Sequence, residues 1–159
     1  GNAMSLEAVE HYFEPYHLTD RIHVFHESTA TVAEAAATLG IEPDQIAKTL
    51  AFDVDGENVV VVASGLSRIA NGKFKRAFGK RADMIARNEV EARIGHAVGG
   101  VCPFAVKPDV KVYLDESLKK YDILYPAAGD TNAAIRLSLT ELERYSNPVG
   151  WVDVAKDAG

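Results

Sequence analysis

The segment 46–63 reads IAKTLAFDVDGENVVVVA and carries the strongest fold signal in the chain. Its first half has the apolar residues of a strand, and Asp55-Gly56 is a residue pair that favours a tight hairpin turn. The return segment, 59–63, is apolar on both faces, which is typical of a strand in the middle of a sheet. The sequence therefore predicts a buried β-hairpin around which the rest of the chain packs.

Short helices are predicted on both sides of this hairpin. Thr31 and Glu34 have capping-box spacing before an alanine-rich run, and Gly40 is placed to end that helix. A helix is also expected over Ser5 to His17, and the other expected helix starts are Pro43, Asn71, Asn88, Asp115 and Thr140. Predicted strands outnumber the helices, so we expect an α+β fold: a single domain with a mixed, partly closed β-sheet or barrel surrounded by short helices.

The composition fits one domain and excludes several classes of protein. With 159 residues, 47% of them hydrophobic, the chain can build one substantial core. We interpret residues 1–3 as the remnant of an expression tag and 4–159 as the domain. No run approaches the roughly 18 apolar residues of a membrane span, and Cys102 is the only cysteine. We therefore expect a cytoplasmic protein with no disulfide, no metal site and no cofactor.

A glycine-rich stretch, GHAVGGVCPFAV at 95–106, is predicted to be a shaped loop. Gly99 and Gly100 weaken any helix or strand, and Pro103 lacks a backbone donor. The N–H groups of Gly99, Gly100 and Val101 could approach a ligand carbonyl or carboxylate closely. An ordinary turn is the alternative interpretation, because most glycine-rich loops bind nothing.

Lys48 lies where the first strand of the hairpin begins. A lysine at the edge of a core can extend its methylene stem over apolar residues and leave its ammonium in solvent. Alternatively, the ammonium lines a cleft and donates hydrogen bonds to a carbonyl, carboxylate or phosphate. The residue types alone leave both interpretations open.

Basic residues are concentrated between positions 68 and 87, although the net charge of the chain is −6. The cluster consists of Arg68, Lys73, Lys75, Arg76, Lys80, Arg81 and Arg87, with Asp83 as its only acid. Such a cluster can hold a phosphate backbone by neutralising its charge. The alternative is a solvated helix face that confers solubility.

Three motifs occur in a fixed order: AEAAATLGIEPDQIAKTLAF at 33–52, GGVCPFAV at 99–106 and YPAAGDTNAAIRLSLTEL at 125–142. In this order they resemble the YbaK/ProX family of aminoacyl-tRNA editing domains, over about 22–154. Domains of that family also occur inserted in bacterial prolyl-tRNA synthetases. The resemblance implies a hydrolase that cleaves the ester joining a mischarged amino acid to the 3′ end of a tRNA, usually acting in trans.

The resemblance assigns roles residue by residue. It implies that Lys48 is the key lysine, that the GxxxP loop from Gly99 to Pro103 holds the aminoacyl group, and that Gly129 belongs to a second loop of the site. The residues that would hold the acceptor stem are Lys73, Lys75, Arg76, Lys80 and Arg81. The expected partners are a mischarged aminoacyl-tRNA and, as a further possibility, prolyl-tRNA synthetase.

The chain departs from the family pattern at several positions. Cys102 replaces the Ser or Thr that commonly precedes the proline of the loop. Ala127, Ala134 and Phe25 stand where the Cys-tRNA-specific branch has a serine, an aspartate and a tyrosine. A pocket lined by these three residues suggests a small, weakly polar amino acid such as alanine, and His26, at the end of the first strand, is a further candidate pocket residue.

Several alternatives stay open on the sequence. Cys102 is interpreted as a small residue lining the pocket, and as a nucleophile only if His96 or another base activates it. The resemblance favours a water or a group of the substrate as nucleophile. The rival functions are a module that binds aminoacyl-tRNA or prolyl-tRNA synthetase without turnover, and a hydrolase of small activated esters.

Overall fold

The structure is a computed structural model that describes residues 3–26 and 31–157. Gly1 and Asn2 of the expected tag remnant lie outside the described residues. The α-helices of the described part are α1 (Ala3–Phe13), α2 (Val32–Leu39), α3 (Asn71–Phe78), α4 (Arg87–Ile94) and α5 (Leu139–Ser146). Its strands are β1 (Ile22–Val24), β2 (Ile46–Val54), β3 (Glu57–Ser64), β4 (Arg68–Ile69), β5 (Lys111–Asp115), β6 (Ile123–Pro126), β7 (Ala133–Ile135), β8 (Leu137–Ser138), β9 (Gly150–Val152) and β10 (Ala155–Lys156).

The predicted hairpin is the centre of the main sheet. That sheet is a curled half-barrel of six strands in the order β8-β6-β2-β3-β5-β9. Strands β2 and β3 pair antiparallel from Ala47 opposite Ser64 to Val54 opposite Glu57, around the turn at Asp55-Gly56. The flanking strands β6 and β5 run parallel to β2 and β3 respectively, so the sheet is mixed. The α+β prediction with a mixed, partly closed sheet is confirmed.

The helix caps were predicted with mixed success. Thr31 accepts a hydrogen bond from the Glu34 N–H, and Gly40 ends α2 in the left-handed conformation, as expected. The predictions at Asn71 and Asn88 are wrong, because α3 and α4 begin without a side-chain cap. The last helix begins at Leu139, one residue before the expected Thr140, and its capping box is formed by Ser138 and Glu141.

The two faces of β2 pack into different cores because side chains alternate along a strand. On one face, Ala47 joins the cluster that includes α1 and α5, and Ala51 joins a smaller cluster under α4. On the other face, Leu50 and Phe52 pack with Phe74 of α3. The half-barrel is thus covered on both sides, which fixes β2 within the molecule. None of the described helices is long and apolar enough to cross a membrane.

Candidate functional site

A cavity of about 380 Å³ opens at one edge of β2. On this edge β2 pairs with β6 only at Ile46 and Ala47, and a single bridge joins Phe52 to Met84 further along. Between these contacts, the stretch 48–50 has no strand partner on this edge among the described residues. The sheet therefore leaves a gap here, and the gap is the cavity.

The cavity is walled mainly by apolar side chains, with a few polar groups. Its apolar walls come from α2, β2, α4 and the loops, with Val32, Ala35, Ile46, Leu50, Ile85, Val90, Val98 and Val101 among them. Its charged residues are Lys48, Arg87 and Asp130. A mostly apolar pocket with a few convergent polar groups is the usual form of a small-molecule site.

Lys48 lies at the cavity with its ammonium partly withdrawn from solvent. Its Nζ donates a hydrogen bond to the carbonyl oxygen of Ser67. Burial lowers the pKa of the Lys48 ammonium, the nearby Asp44 carboxylate opposes that shift, and Arg68 adds to it. Lys48 is among the lining residues of the cavity, whereas Ser67, the partner of its ammonium, is not.

Two glycine loops close the cavity on the opposite face of β2 from Lys48. The first glycine loop, 95–106, contributes Val98, Gly99 and Val101 to the lining. The second glycine loop, 126–132, contributes Ala127, Asp130 and Thr131. The cavity therefore wraps around the open edge of β2, with the lysine on one side and the loops on the other.

The glycines of these loops are required by close packing. A Cβ atom on Gly100 would lie 2.6 Å from the carbonyl oxygen of Gly129, and one on Gly99 would lie 2.4 Å from Cγ2 of Thr131. Gly99 and Gly129 also have positive φ angles of 93° and 98°. Any side chain at these positions would force the loops apart or strain the backbone.

The first glycine loop offers fewer backbone donors than the sequence suggested. The Gly100 N–H donates to the Ala97 carbonyl at 3.0 Å, which corrects its expected role as a ligand donor. Within the described part of the chain, the N–H groups of Gly99 and Val101 have no such acceptor. These two groups are therefore candidate donors in the loop beside the cavity.

Cys102 and Pro103 do not line the cavity, contrary to the sequence expectation. Both are buried, and the Cys102 thiol packs in the core with Val9 and Phe104. The reason is that the loop turns its Cys102 side inward, towards α1. His96 is buried too, with its Nε2 3.5 Å from the Cys102 sulfur and 2.6 Å from the Phe104 carbonyl oxygen.

The Cys102 thiol is expected to be unreactive in the folded protein. Burial raises its pKa to about 12, so almost no thiolate exists at neutral pH. Alkylation by iodoacetamide at pH 8 is expected to be slower than that of free cysteine by a factor of about 1,000. Protein unfolded in guanidinium serves as the control and should react at the ordinary rate. Rapid labelling of the folded protein would reopen the nucleophile interpretation.

The structure separates the two expected pocket residues of the first strand. Phe25 lines the cavity, and its position is fixed because its N–H donates to the Asn132 carbonyl at 2.7 Å. His26 is exposed and does not line the cavity, which corrects its expected place in the pocket. Gly129 lies behind the lining, where a Cβ would stand 2.6 Å from the Ser5 carbonyl oxygen.

The basic cluster divides into paired and unpaired residues. Lys73 forms an ion pair with Asp153 at 3.0 Å, and Lys80 forms one with Asp55 at 2.9 Å. The exposed side chains of the cluster without an ion pair among the described residues are Arg68, Lys75, Arg76, Arg81 and Arg87. These five keep their full charge available for a phosphate, whereas an ion pair partly neutralises Lys73 and Lys80.

Sequence reasoning assigned no site role to Arg87, Met84 or Thr49, which also line the cavity. Arg87 opens α4 and is exposed, and Met84 reaches the cavity because its segment pairs with Phe52. The buried Thr49 hydroxyl oxygen has no hydrogen-bond partner among the described residues. Arg87 belongs to the predicted basic cluster, and this was the only sequence signal for the three.

A family model describes this architecture. Residues 26–145 match the model of the aminoacyl-tRNA editing domain, and the chain belongs to that family. The chain is 42% identical over 155 residues to protein YwhH of Bacillus subtilis (strain 168), described as uncharacterized, and the match covers 97% of this chain and 99% of YwhH. It is 36% identical over 90 residues to the proline–tRNA ligase of Lysinibacillus sphaericus (strain C3-41), covering 56% of this chain and 16% of the ligase.

Solved structures share the fold. A crystal structure described as a proposed trans-editing enzyme for prolyl tRNA synthetase superposes with a TM-score of 0.85 at 29% identity, over 96% of this chain and 97% of that one. The crystal structure of the hypothetical protein APE2540 superposes with a TM-score of 0.82 at 34% identity, over 94% of this chain and 99% of that one. The fold expected from the motifs is therefore confirmed.

Proposed function

We propose that this protein is a trans-editing deacylase that hydrolyses the ester bond of mischarged aminoacyl-tRNA in the cytoplasm. The observation that carries the proposal is the cavity at the open edge of β2, with Lys48 on one face and the glycine loops on the other. Membership of the aminoacyl-tRNA editing domain family supports the substrate class. The likeness to a proposed trans-editing enzyme supports action in trans.

The chemistry requires modest help from the protein, because an aminoacyl ester is already activated. Water attacks the ester carbonyl carbon, negative charge develops on the carbonyl oxygen, and the ribose oxygen then leaves and takes up the proton that the water loses. If a group of the substrate attacks first, the product that it forms must in turn be hydrolysed by water. Lys48 supplies positive charge, and the N–H groups of Gly99 and Val101 supply donors. Donors placed for the developing oxyanion stabilise the transition state more than the ground state. The side chain of Cys102 takes no part, since it is buried in the core.

The cavity lining favours a small amino acid. Phe25, Ala127 and Ala134 all line the cavity, and Ala127 forms a bridge with Ala134. None of these side chains can hydrogen-bond a polar substituent, so the proposed side chain is small and weakly polar, with alanine as the first candidate. A panel of Ala-, Ser-, Thr- and Cys-tRNA on several tRNA bodies tests this, and rapid hydrolysis confined to Ala-tRNA is expected. Faster hydrolysis of Ser- or Thr-tRNA would contradict the assignment.

Lys75 and Arg76 are proposed to contact tRNA phosphates, since both are exposed and unpaired on α3 among the described residues. Replacing both with glutamine is expected to raise KM for aminoacyl-tRNA about tenfold at physiological salt and to leave kcat nearly unchanged. The slope of log KM against log salt should fall by about two. Deacylation kinetics at several salt concentrations measure both quantities.

A matched control removes the same charge elsewhere. Lys111 and Lys119 are exposed and ion-paired with Glu57 and Glu116, so their double glutamine variant should leave KM and the salt slope unchanged. The same experiment tests the small-ester rival. If the Lys75/Arg76 variant hydrolyses tRNA esters with the wild-type KM and salt slope, α3 is not a tRNA surface.

A further inference from the structure

Helix α1 contacts the rear of both glycine loops. Ser5, in the first turn of α1, hydrogen-bonds through its hydroxyl to Nδ1 of His96 in the first glycine loop. The Ser5 carbonyl also lies against Gly129 in the second, where an added Cβ would come within 2.6 Å of it. One turn of α1 therefore touches both loops on the side away from the cavity.

His96 connects this contact to the body of the first glycine loop. Its ring is 1% exposed, and its Nε2 lies 2.6 Å from the carbonyl oxygen of Phe104. Because a carbonyl only accepts, Nε2 carries the proton and Nδ1 accepts the Ser5 hydroxyl. Burial lowers the pKa of His96, which keeps this neutral tautomer in place, although the bond to Phe104 opposes that shift.

The rest of α1 makes this end of the helix rigid. Val9 and Phe13 are fully buried, and the Phe13 ring packs against Phe104 with ring centres 4.8 Å apart. The loops also contact each other, because Gly100 packs on the backbone of Gly129. A displacement at Ser5 would thus be transmitted to both loops, the first of which carries Gly99 and Val101 at the cavity.

The geometry points to Ser5 and His96 as positioning residues that hold the two glycine loops in the arrangement needed for ester hydrolysis. Neither residue lines the cavity, so they act through the loops and do not touch the substrate. This inference rests on the proposed function for its kinetic part. The family match begins at residue 26, so α1 lies outside it and family membership assigns the helix no role.

The test replaces Ser5 with alanine, which keeps the helix and deletes one hydrogen bond. Amide hydrogen exchange of the ligand-free protein should become about fivefold faster in peptides covering both glycine loops. In deacylation, kcat should fall about tenfold or more while KM stays within twofold, because misplaced donors stabilise the transition state less and leave substrate binding nearly unchanged.

A matched control is Tyr12→Phe. It deletes the 2.7 Å hydrogen bond from the Tyr12 hydroxyl of α1 to the Tyr145 carbonyl of α5, and it keeps the aromatic ring that packs beside Phe104 of the first glycine loop. Melting temperatures of both variants measure the stability that each loses. Tyr12→Phe should leave loop exchange and kcat within twofold of wild type.

Two results would overturn the positioning role: unchanged loop exchange in Ser5→Ala, or equal effects of Ser5→Ala and Tyr12→Phe on loop exchange and kcat. The exchange measurement needs no substrate, so it also separates this proposal from the proposed function. If wild-type protein deacylates no tRNA, the proposed function fails, while loop exchange still decides whether Ser5 holds the loops.

Discussion

Replacing Lys48 with methionine is expected to lower kcat for aminoacyl-tRNA hydrolysis by about 100- to 1,000-fold, the usual loss when one oxyanion donor is removed. Methionine keeps an apolar stem of similar length and deletes only the ammonium and its hydrogen bond to Ser67. Single-turnover deacylation with protein in excess measures the chemical step directly. Melting temperature is recorded alongside it to separate lost chemistry from lost stability.

The matched control is Lys111→Met. Lys111 also lies on a strand of the main sheet and has one partner, Glu57, but it does not line the cavity. Its replacement should leave the hydrolysis rate within twofold of wild type. If Lys48→Met hydrolyses aminoacyl-tRNA as fast as this control, the ammonium has no part in the reaction. Intact tRNA binding by both variants, with no deacylation even by wild type, would favour the binding module.

The second large effect is expected from Gly100→Ala. The added Cβ would stand 2.6 Å from the Gly129 carbonyl oxygen and 2.7 Å from the Asp130 nitrogen, both of them backbone atoms. The two glycine loops must move apart, at a cost of about 1–3 kcal/mol in stability. Because a displacement of about 1 Å can cost a factor of 100 in rate, we expect kcat to fall about 100-fold.

Gly150→Ala controls for the loss of a glycine. A Cβ at Gly150 meets no heavy atom within 4 Å, and the residue lies in β9, away from the cavity. We expect its melting temperature and kcat to stay close to wild type. Unfolding by urea and deacylation rates of the two variants provide the comparison. Wild-type activity in Gly100→Ala would show that the packing of the loops does not control the site.

The central hairpin and the α+β class were predictable because the signals are local. An Asp-Gly turn between two apolar runs indicates that these two runs pair with each other as strands. Thr31 caps α2 by accepting a hydrogen bond from the N–H of Glu34, only three positions away. One of the caps that failed has a competing partner: the Asn71 side chain accepts a hydrogen bond from the Ala82 N–H and does not cap α3.

Parts of the candidate site depend on contacts that no local pattern reveals. The sequence marks 95–106 as a loop, but which side faces the cavity depends on α1, so Cys102 was wrongly placed. The ion pairs of Lys73 and Lys80 involve acids 80 and 25 positions away. Met84 reaches the cavity only because its segment pairs with β2. These are tertiary effects, and they override local signals.

The central claim is tested most directly by hydrolysis of Ala-tRNA by the wild-type protein, measured under single-turnover conditions against the spontaneous rate in buffer. We predict an acceleration of more than about 100-fold, since even one well-placed donor supplies a factor of that size. The claim is contradicted if Ala-tRNA, and with it Ser-, Thr- and Cys-tRNA, disappears no faster with the protein than without it.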